Sequence, residues 1–347
     1  MKDVILVTGG AGFIGSNFIR YMLKKYNKYL IVNLDKLTYA GNLENLSDIQ
    51  NNPNYRFIKG DISDTSLIYS IFNDLIPRYV VNFAAESHVD RSIKKPSIFI
   101  KTNILGTQTL LNAAKNIWLK NDKWKDNVKF LQISTDEVYG SLGPKGLFTE
   151  SSCLSPHSPY SASKASADLI VQSYYHTFGM PINITRCSNN YGPYQFPEKL
   201  IPLMINNALH HKKLPVYGDG KQIRDWLYVE DHCRAIDRVL HFGRIGEIYN
   251  IGGNNERENI YVVKEIIKIL RKITGDKQIN DSLIQFVKDR PGHDRRYGID
   301  ATKIKKELNW QPKINFETGL KLTINWYLSH KEWINKVTSK GEVDYNI

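Results

Sequence analysis

With 347 residues, 41% of them apolar and 24% charged, the chain has the composition of a folded globular protein with room for one large or two ordinary domains, which excludes disorder as its main state. A formal net charge of +12 is scattered, with no basic block and no aromatic-interleaved module, so it speaks for a lysine-rich surface that helps to steer an anionic substrate and against nucleic acid. Cys153, Cys187 and Cys233 are too few and too far apart for a disulfide framework or a metal site, and no apolar run is long enough to span a membrane; a soluble, cytoplasmic protein is expected.

The run Val4-Ile5-Leu6-Val7 predicts a buried strand that enters the turn Thr8-Gly9-Gly10-Ala11-Gly12-Phe13-Ile14-Gly15, with a helix over residues 17–25 behind it. Strand, glycine turn and helix in that order point to a dinucleotide site, because glycine lets the backbone approach a pyrophosphate and a helix N-terminus attracts its charge. A second strand over residues 30–34 ends at Asp35, which is either the acceptor for the adenosine ribose hydroxyls or a cap for the next turn. Read as the ribose ligand it favours NAD over NADP, with neighbouring Lys36 arguing the other way. Strands over 55–58 and 79–83 run into Gly60-Asp61-Ile62 and Ala84-Ala85-Glu86-Ser87-His88, where an adenine edge and a nicotinamide ribose would lie. Asp61 reads equally as a loop cap, and His88 as a structural histidine.

Helical periodicity over 98–118 carries Thr102 and Asn103, and a second helix over 158–178 carries Tyr160 and Lys164 on one face. Between them a buried strand over 128–133 leaves the sheet at Ser134-Thr135-Asp136-Glu137-Val138-Tyr139-Gly140. Asp136 and Glu137 beside a Tyr/Lys pair supply one pocket with a proton donor, a proton acceptor and an oxidising base. Adjacent strand residues face opposite ways, so both carboxylates reach one ligand only if the chain turns immediately after Thr135. The spacing Tyr-x-x-x-Lys recurs at Tyr21/Lys25, Tyr55/Lys59, Tyr217/Lys221 and Tyr327/Lys331; position, not spacing, selects Tyr160/Lys164.

A strand over 182–185 leads to Arg186-Cys187-Ser188-Asn189-Asn190-Tyr191-Gly192-Pro193, after which the alternation loosens. Pro193, Pro197, Pro202 and Pro215 are read as loop markers of a smaller lobe, residues 231–242 as a helix returning to the main sheet, and 247–251 as a further strand. Helices are expected over 261–273 and 318–326, and a polar, frayed tail after Trp333.

On Thr8 to Gly15, AAESHVDRS (84–92), STDEVYG (134–140), Tyr160 to Lys164, SNNYGP (188–193), YGDGKQIRDWLY (217–228) and RPGHDRRY (290–297), the chain resembles the extended short-chain dehydrogenase/reductase family, and within it the nucleotide-sugar 4,6-dehydratases, over essentially its whole length. The Asp136-Glu137 pair separates it from the 4-epimerases. The resemblance implies an α/β fold, a Rossmann-type doubly wound parallel sheet with a smaller C-terminal substrate lobe. Residues 1–190 with 225–250 would form the NAD domain, 191–224 and 251–335 the sugar-nucleotide lobe, and 336–347 a tail. It also implies a homodimer and a tightly bound NAD regenerated in each turnover, on a nucleotide-diphosphate sugar whose base, thymine or uracil, stays open; a 4-epimerase or decarboxylase is the alternative reading.

Residue by residue, the resemblance makes Thr135, Asp136, Glu137, Tyr160 and Lys164 catalytic. It assigns NAD to Gly9, Gly12, Phe13, Ile14, Gly15, Asp35, Lys36, Leu37, Thr38, Asp61, Ile62, Ala84, Ala85, Glu86, Ser87, Thr102, Tyr160, Lys164 and Asn190. The sugar nucleotide falls to Ser87, Thr135, Asn189, Lys199, Leu200, Pro215, Val216, Tyr217, Arg224, Asn259, Asp289, Arg290, Pro291, Gly292 and His293. Arg224 and Arg290 suit a diphosphate because a guanidinium is permanently charged and binds bidentately, although either alone reads as readily as a surface ion pair. Lys164 and the nicotinamide charge are expected to lower the pKa of Tyr160.

Overall fold

The computed structural model describes residues 2–339. Strand β1 (Asp3–Thr8) passes through the glycine turn into helix α1 (Phe13–Lys25), and β2 (Tyr29–Asp35), β3 (Tyr55–Lys59), α2 (Thr65–Leu75) and β4 (Tyr79–Asn82) follow. Short helices α3 (Val89–Lys94) and α4 (Pro96–Phe99) lead through a π-helical segment, Ile100–Gly106, to α5 (Thr107–Trp118) and a small hairpin of β5 (Leu119–Lys120) and β6 (Lys123–Trp124). Then come β7 (Lys129–Thr135), a 3-10 turn Asp136–Tyr139, α6 (Pro159–Phe178) and β8 (Ile182–Cys187).

The remaining elements are β9 (Asn189–Tyr191), α7 (Leu200–Leu209), β10 (Leu214–Tyr217), β11 (Ile223–Tyr228), α8 (Val229–Phe242), β12 (Ile248–Ile251), β13 (Glu256–Glu258), α9 (Asn259–Thr274), β14 (Ile284–Val287), α10 (Thr302–Leu308), α11 (Phe316–Ser329) and α12 (Lys331–Thr338).

Seven parallel strands form the main sheet in the order β12-β8-β7-β4-β1-β2-β3. Helices cover both faces, which is why the strands read as continuous apolar runs. Ile5, Val7, Ile31, Val81, Leu131 and Ile133 pack against Phe18, Ile19 and Met22 of α1 and Ile236, Val239 and Leu240 of α8. Val4, Leu6, Val32, Leu34, Val80 and Phe130 face Ile68, Phe72, Leu110, Trp118 and Val171 on the other side. A separate core gathers Ile201, Met204, Val263, Ile266, Phe316, Ile324 and Trp333 from α7, α9, α11 and α12. Beside it β11 pairs parallel with β9 and antiparallel with β13, and β10 pairs with β14.

Three expectations are corrected. The helix over 98–118 is not continuous: its π-helical stretch widens the turn at Ile100–Gly106, where Asn103 serves a neighbouring loop. Two prolines are no loop markers: Pro202 sits buried in the first turn of α7, where a missing amide hydrogen costs nothing, and Pro215 lies within β10, paired only to β14 in a two-stranded sheet. Beyond Trp333 the chain stays helical to Thr338, because Trp333, Ile334 and Val337 are buried; the rest of the expected tail lies outside the described residues.

Candidate active site

The strand order reverses between β1 and β4, and the crevice at such a switch point is where doubly wound sheets take ligands. Gly9 has φ of 70° and a Cβ there would lie 2.6 Å from Ala84 N; at Gly15 it would lie 2.5 Å from Gly9 O. Bare backbone thus lines the floor of the crevice. Helix α1 has no side-chain cap at Gly12 and no acidic residue in its first turn, so its free amides and positive end face an anion.

Asp35 accepts from Ala11 N at 2.9 Å and from Leu37 N at 2.8 Å, tying the glycine turn to the following loop. The capping reading therefore holds, and Asp35 still lines the crevice with lone pairs left over. Lys36 pairs with Asp61 at 2.8 Å, which neutralises the cation that argued for a 2'-phosphate. Asp61 also caps Ser63 N at 2.9 Å. Every residue expected to hold NAD lines this crevice except Leu37, whose side chain packs on the core beneath. Bare glycine floor, uncapped helix end and Asp35 together fit a dinucleotide.

At the other end of the crevice β7 stops at Thr135, whose Oγ1 accepts from Glu137 N at 3.3 Å, and the chain turns at once into the 3-10 segment. The required turn is present, and Asp136 and Glu137 line the same cavity as Tyr160 and Lys164. Asp136 is almost fully buried; its Oδ1 accepts from Thr135 Oγ1 at 3.3 Å and its Oδ2 has no protein partner. Burial, then Glu137 and Asp225, push its carboxyl well above the ordinary range. Burial also raises Glu137, but Arg290, Arg224 and Lys199 pull it back. Both carboxyls are thus raised by burial, Asp136 against the charge of Arg224 and Glu137 against that of Arg290, Arg224 and Lys199.

Lys164 Nζ donates to Ile133 O at 2.7 Å and is held below its usual pKa by burial, against the opposing charge of Asp168. Tyr160 stands well above its ordinary value, through burial first and then Glu137, Cys187 and Asp136, with the Thr135 hydrogen bond acting the other way. The expected depression of Tyr160 is therefore not built into the protein alone, because the groups crowding the phenol are themselves acids. Asn103, on the π-helical segment, brackets the exit of β4: its Oδ1 accepts from Glu86 N at 2.9 Å, and its Nδ2 donates to Glu86 O at 3.0 Å and Ser163 Oγ at 2.8 Å.

Ser87, Thr135, Asn189 and Lys199 line the crevice, with Lys199 Nζ donating to Ser87 O at 3.3 Å. Leu200, Pro215, Val216, Tyr217, Arg224, Asn259, Asp289, Arg290, Pro291, Gly292 and His293 do not; several of them gather in a second cluster alongside. There Asp289 binds His293 Nδ1 at 2.6 Å and Gln222 Nε2 at 3.0 Å, and the Arg290 guanidinium lies 6.0 Å from the Tyr217 ring. Arg224 is no surface ion pair: it is buried over the Tyr297 ring at 4.3 Å and donates to the carbonyls of Ile223 and Asp294, at 2.8 and 3.0 Å. His88 caps α3 through Arg91 N at 3.3 Å and is held neutral, its pKa down to about 3 by burial and the cations around it. Tyr39, Cys187, Gln195, Phe196 and Glu198 also line the crevice and were not foreseen. They sit in irregular segments or at a strand end, where no periodicity marks them.

The family model described as GDP-mannose 4,6 dehydratase matches residues 6–323. Among curated proteins, the dTDP-glucose 4,6-dehydratase of Xanthomonas campestris pv. campestris (strain B100) is 53% identical over 335 residues, covering 96% of this chain and 95% of that protein. One from Escherichia coli is 54% identical, with 96% of each chain covered. Among solved structures, dTDP-glucose 4,6-dehydratase from Bacillus anthracis in complex with NAD superposes with a TM-score of 0.87 at 53% identity, over 96% of this chain and 99% of that one. UDP-glucose 4-epimerase from Thermotoga maritima with UDP-glucose gives 0.82 at 31%, over 94% and 99%. This chain belongs to the GDP-mannose 4,6 dehydratase family and, within it, to the dTDP-glucose 4,6-dehydratases.

Proposed function

We propose that the chain converts dTDP-glucose to dTDP-4-keto-6-deoxyglucose by net loss of one water, with NAD retained, as a step of deoxysugar biosynthesis. When bound, NAD takes a hydride from C4 of the sugar and returns it at C6, so no outside oxidant is consumed. Tyr160 removes the O4 proton, Thr135 donates to or accepts from O4, and Lys164 holds positive charge below the phenolate. Since Tyr160 alone sits above its ordinary pKa, positive charge beside the phenol, from Lys164 and a bound nicotinamide, would have to offset its burial for it to act as the base.

The C4 ketone makes the C5 proton acidic; Glu137 takes that proton and Asp136 delivers one to the departing C6 hydroxyl. The observation that carries this reading is a pair of adjacent buried carboxyls in one cavity that neighbouring cations compensate unequally. Burial and the neighbouring acids Glu137 and Asp225 raise Asp136 well above its ordinary value against Arg224, whereas Arg290, Arg224 and Lys199 all act against the burial of Glu137. Such a division supplies one acid and one base at the same pH. An epimerase has no use for it. The cluster of Arg224, Asn259 and residues 289–293 serves the nucleotide diphosphate, in a lobe formed by residues 191–224 and 251–335.

The reading is tested by incubating the purified protein separately with dTDP-glucose and UDP-glucose, without added NAD. We expect a product lighter by one water with a new C6 methyl signal, formed faster from dTDP-glucose; an unchanged mass with inverted C4 would overturn it. Exposed Ile98, Ile100 and Leu105 with Leu169 and Phe178 on neighbouring helical elements support a homodimer, to be read as twice the chain mass by sedimentation equilibrium. Three unpaired thiols suit a reducing compartment, the cytoplasm.

A further inference from the structure

Behind the catalytic turn lies a buried ion pair that the chemistry above does not use. Asp168 stands on α6 at the same face as Tyr160 and Lys164, spaced four residues apart in sequence, and is completely buried. Its Oδ2 accepts from Arg186 Nε at 2.9 Å and from Ser134 Oγ at 3.0 Å. Arg186, on β8 and also buried, donates from its other end to Tyr139 OH at 3.0 Å, with its guanidinium 4.9 Å from that ring. Tyr139 OH donates onward to Asn250 Oδ1 at 2.8 Å on the edge strand β12.

Ser134 and Tyr139 are the residues on either side of the segment that holds Asp136 and Glu137. We propose that Asp168 and Arg186 form a clamp whose two ends, Ser134 and Tyr139, fix the Asp136-Glu137 turn relative to the Tyr160/Lys164 helix, making the four of them positioning residues for the elimination step. A buried ion pair is seldom a net gain in stability over apolar packing, so its persistence calls for another role, and setting a unique geometry is one such role. Each hydroxyl it holds is short and inflexible. Losing either end frees one side of a turn on which two proton transfers must be aligned with the same sugar, and misplacement of about 1 Å costs on the order of a hundredfold in rate.

This inference rests on the roles given above to Asp136 and Glu137, and the test separates the two. Tyr139→Phe and Ser134→Ala each delete one hydroxyl and leave the ion pair in place; the Phe ring keeps its stacking on Phe148, centroids 5.0 Å apart. With dTDP-glucose as substrate, kcat, KM, melting temperature and the near-ultraviolet absorbance of reduced nicotinamide during turnover are measured for wild type and both variants. The expected result is a kcat lower by about tenfold or more with KM unchanged, and a steady-state level of reduced cofactor above wild type, because sugar oxidation outruns elimination. A merely structural loss would lower melting temperature and active fraction without raising that level, and would overturn the clamp, as would wild-type kcat in both variants. Should the wild type release no dehydrated product, the functional reading itself falls, and the role of the clamp with it. If Tyr139→Phe does not fold, Ser134→Ala decides alone.

Discussion

Asp136 and Glu137 are neighbours in sequence, yet their surroundings give them different chemistry. With Glu137 as the proposed base and Asp136 as the proposed acid, activity is expected to fall as pH drops through the raised pKa of Glu137 and to fall again as pH climbs through the raised pKa of Asp136. In Asp136→Asn we expect turnover lower by about 10²- to 10⁴-fold, retention of sugar oxidation, and loss of the alkaline limb that Asp136 sets. The same substitution should stabilise the fold. A carboxyl whose folded pKa is raised binds more protons folded than unfolded, so wild-type stability declines as pH rises from the unfolded value toward the folded one. Melting temperatures across that window should show Asp136→Asn gaining on wild type with increasing pH. A variant that loses ground instead would mean that Asp136 is ionised in the folded protein. Both carboxylates were legible in the sequence because they stand at a strand end; their unequal environments were not, since Arg290 and Arg224 arrive from segments far along the chain.

At the level of elements, apolar runs located every strand of the main sheet, including the half-buried edge strand β3 and β8, which carries Asn183, Thr185 and Arg186 between its apolar residues. The π-helical stretch Ile100–Gly106 was invisible, for its apolar positions fit an α-helix equally well. Its purpose is seen only in three dimensions, where Asn103 grips Glu86 through both backbone groups and reaches Ser163 beside Lys164. Asn103→Ala should leave the backbone N–H and C=O of Glu86 unmatched and cost about 1–3 kcal/mol of stability, read from the urea midpoint. It should also lower the NAD released per chain on denaturation, since Glu86 and Ser87 line the cofactor crevice. Full NAD content in a destabilised variant would confine Asn103 to a structural role.

Across the whole molecule, the smaller core was the least readable part, because α7, α9, α11 and α12 converge on short strands that pair outside the main sheet. Proline misled there: Pro202 begins a helix as readily as it ends one. The last described helix nevertheless reaches back to the first loop. Trp333 Nε1 donates to Asn45 Oδ1 at 2.9 Å, and Asn45 Nδ2 donates to Ala11 O at 2.8 Å, within the glycine turn. Segments far apart in the sequence are thereby tied together beside the glycine turn. A disturbance far along the chain should therefore be felt at the glycine turn: Trp333→Phe, which removes the indole donor, is expected to lower the NAD carried per chain, read from the cofactor released on denaturation.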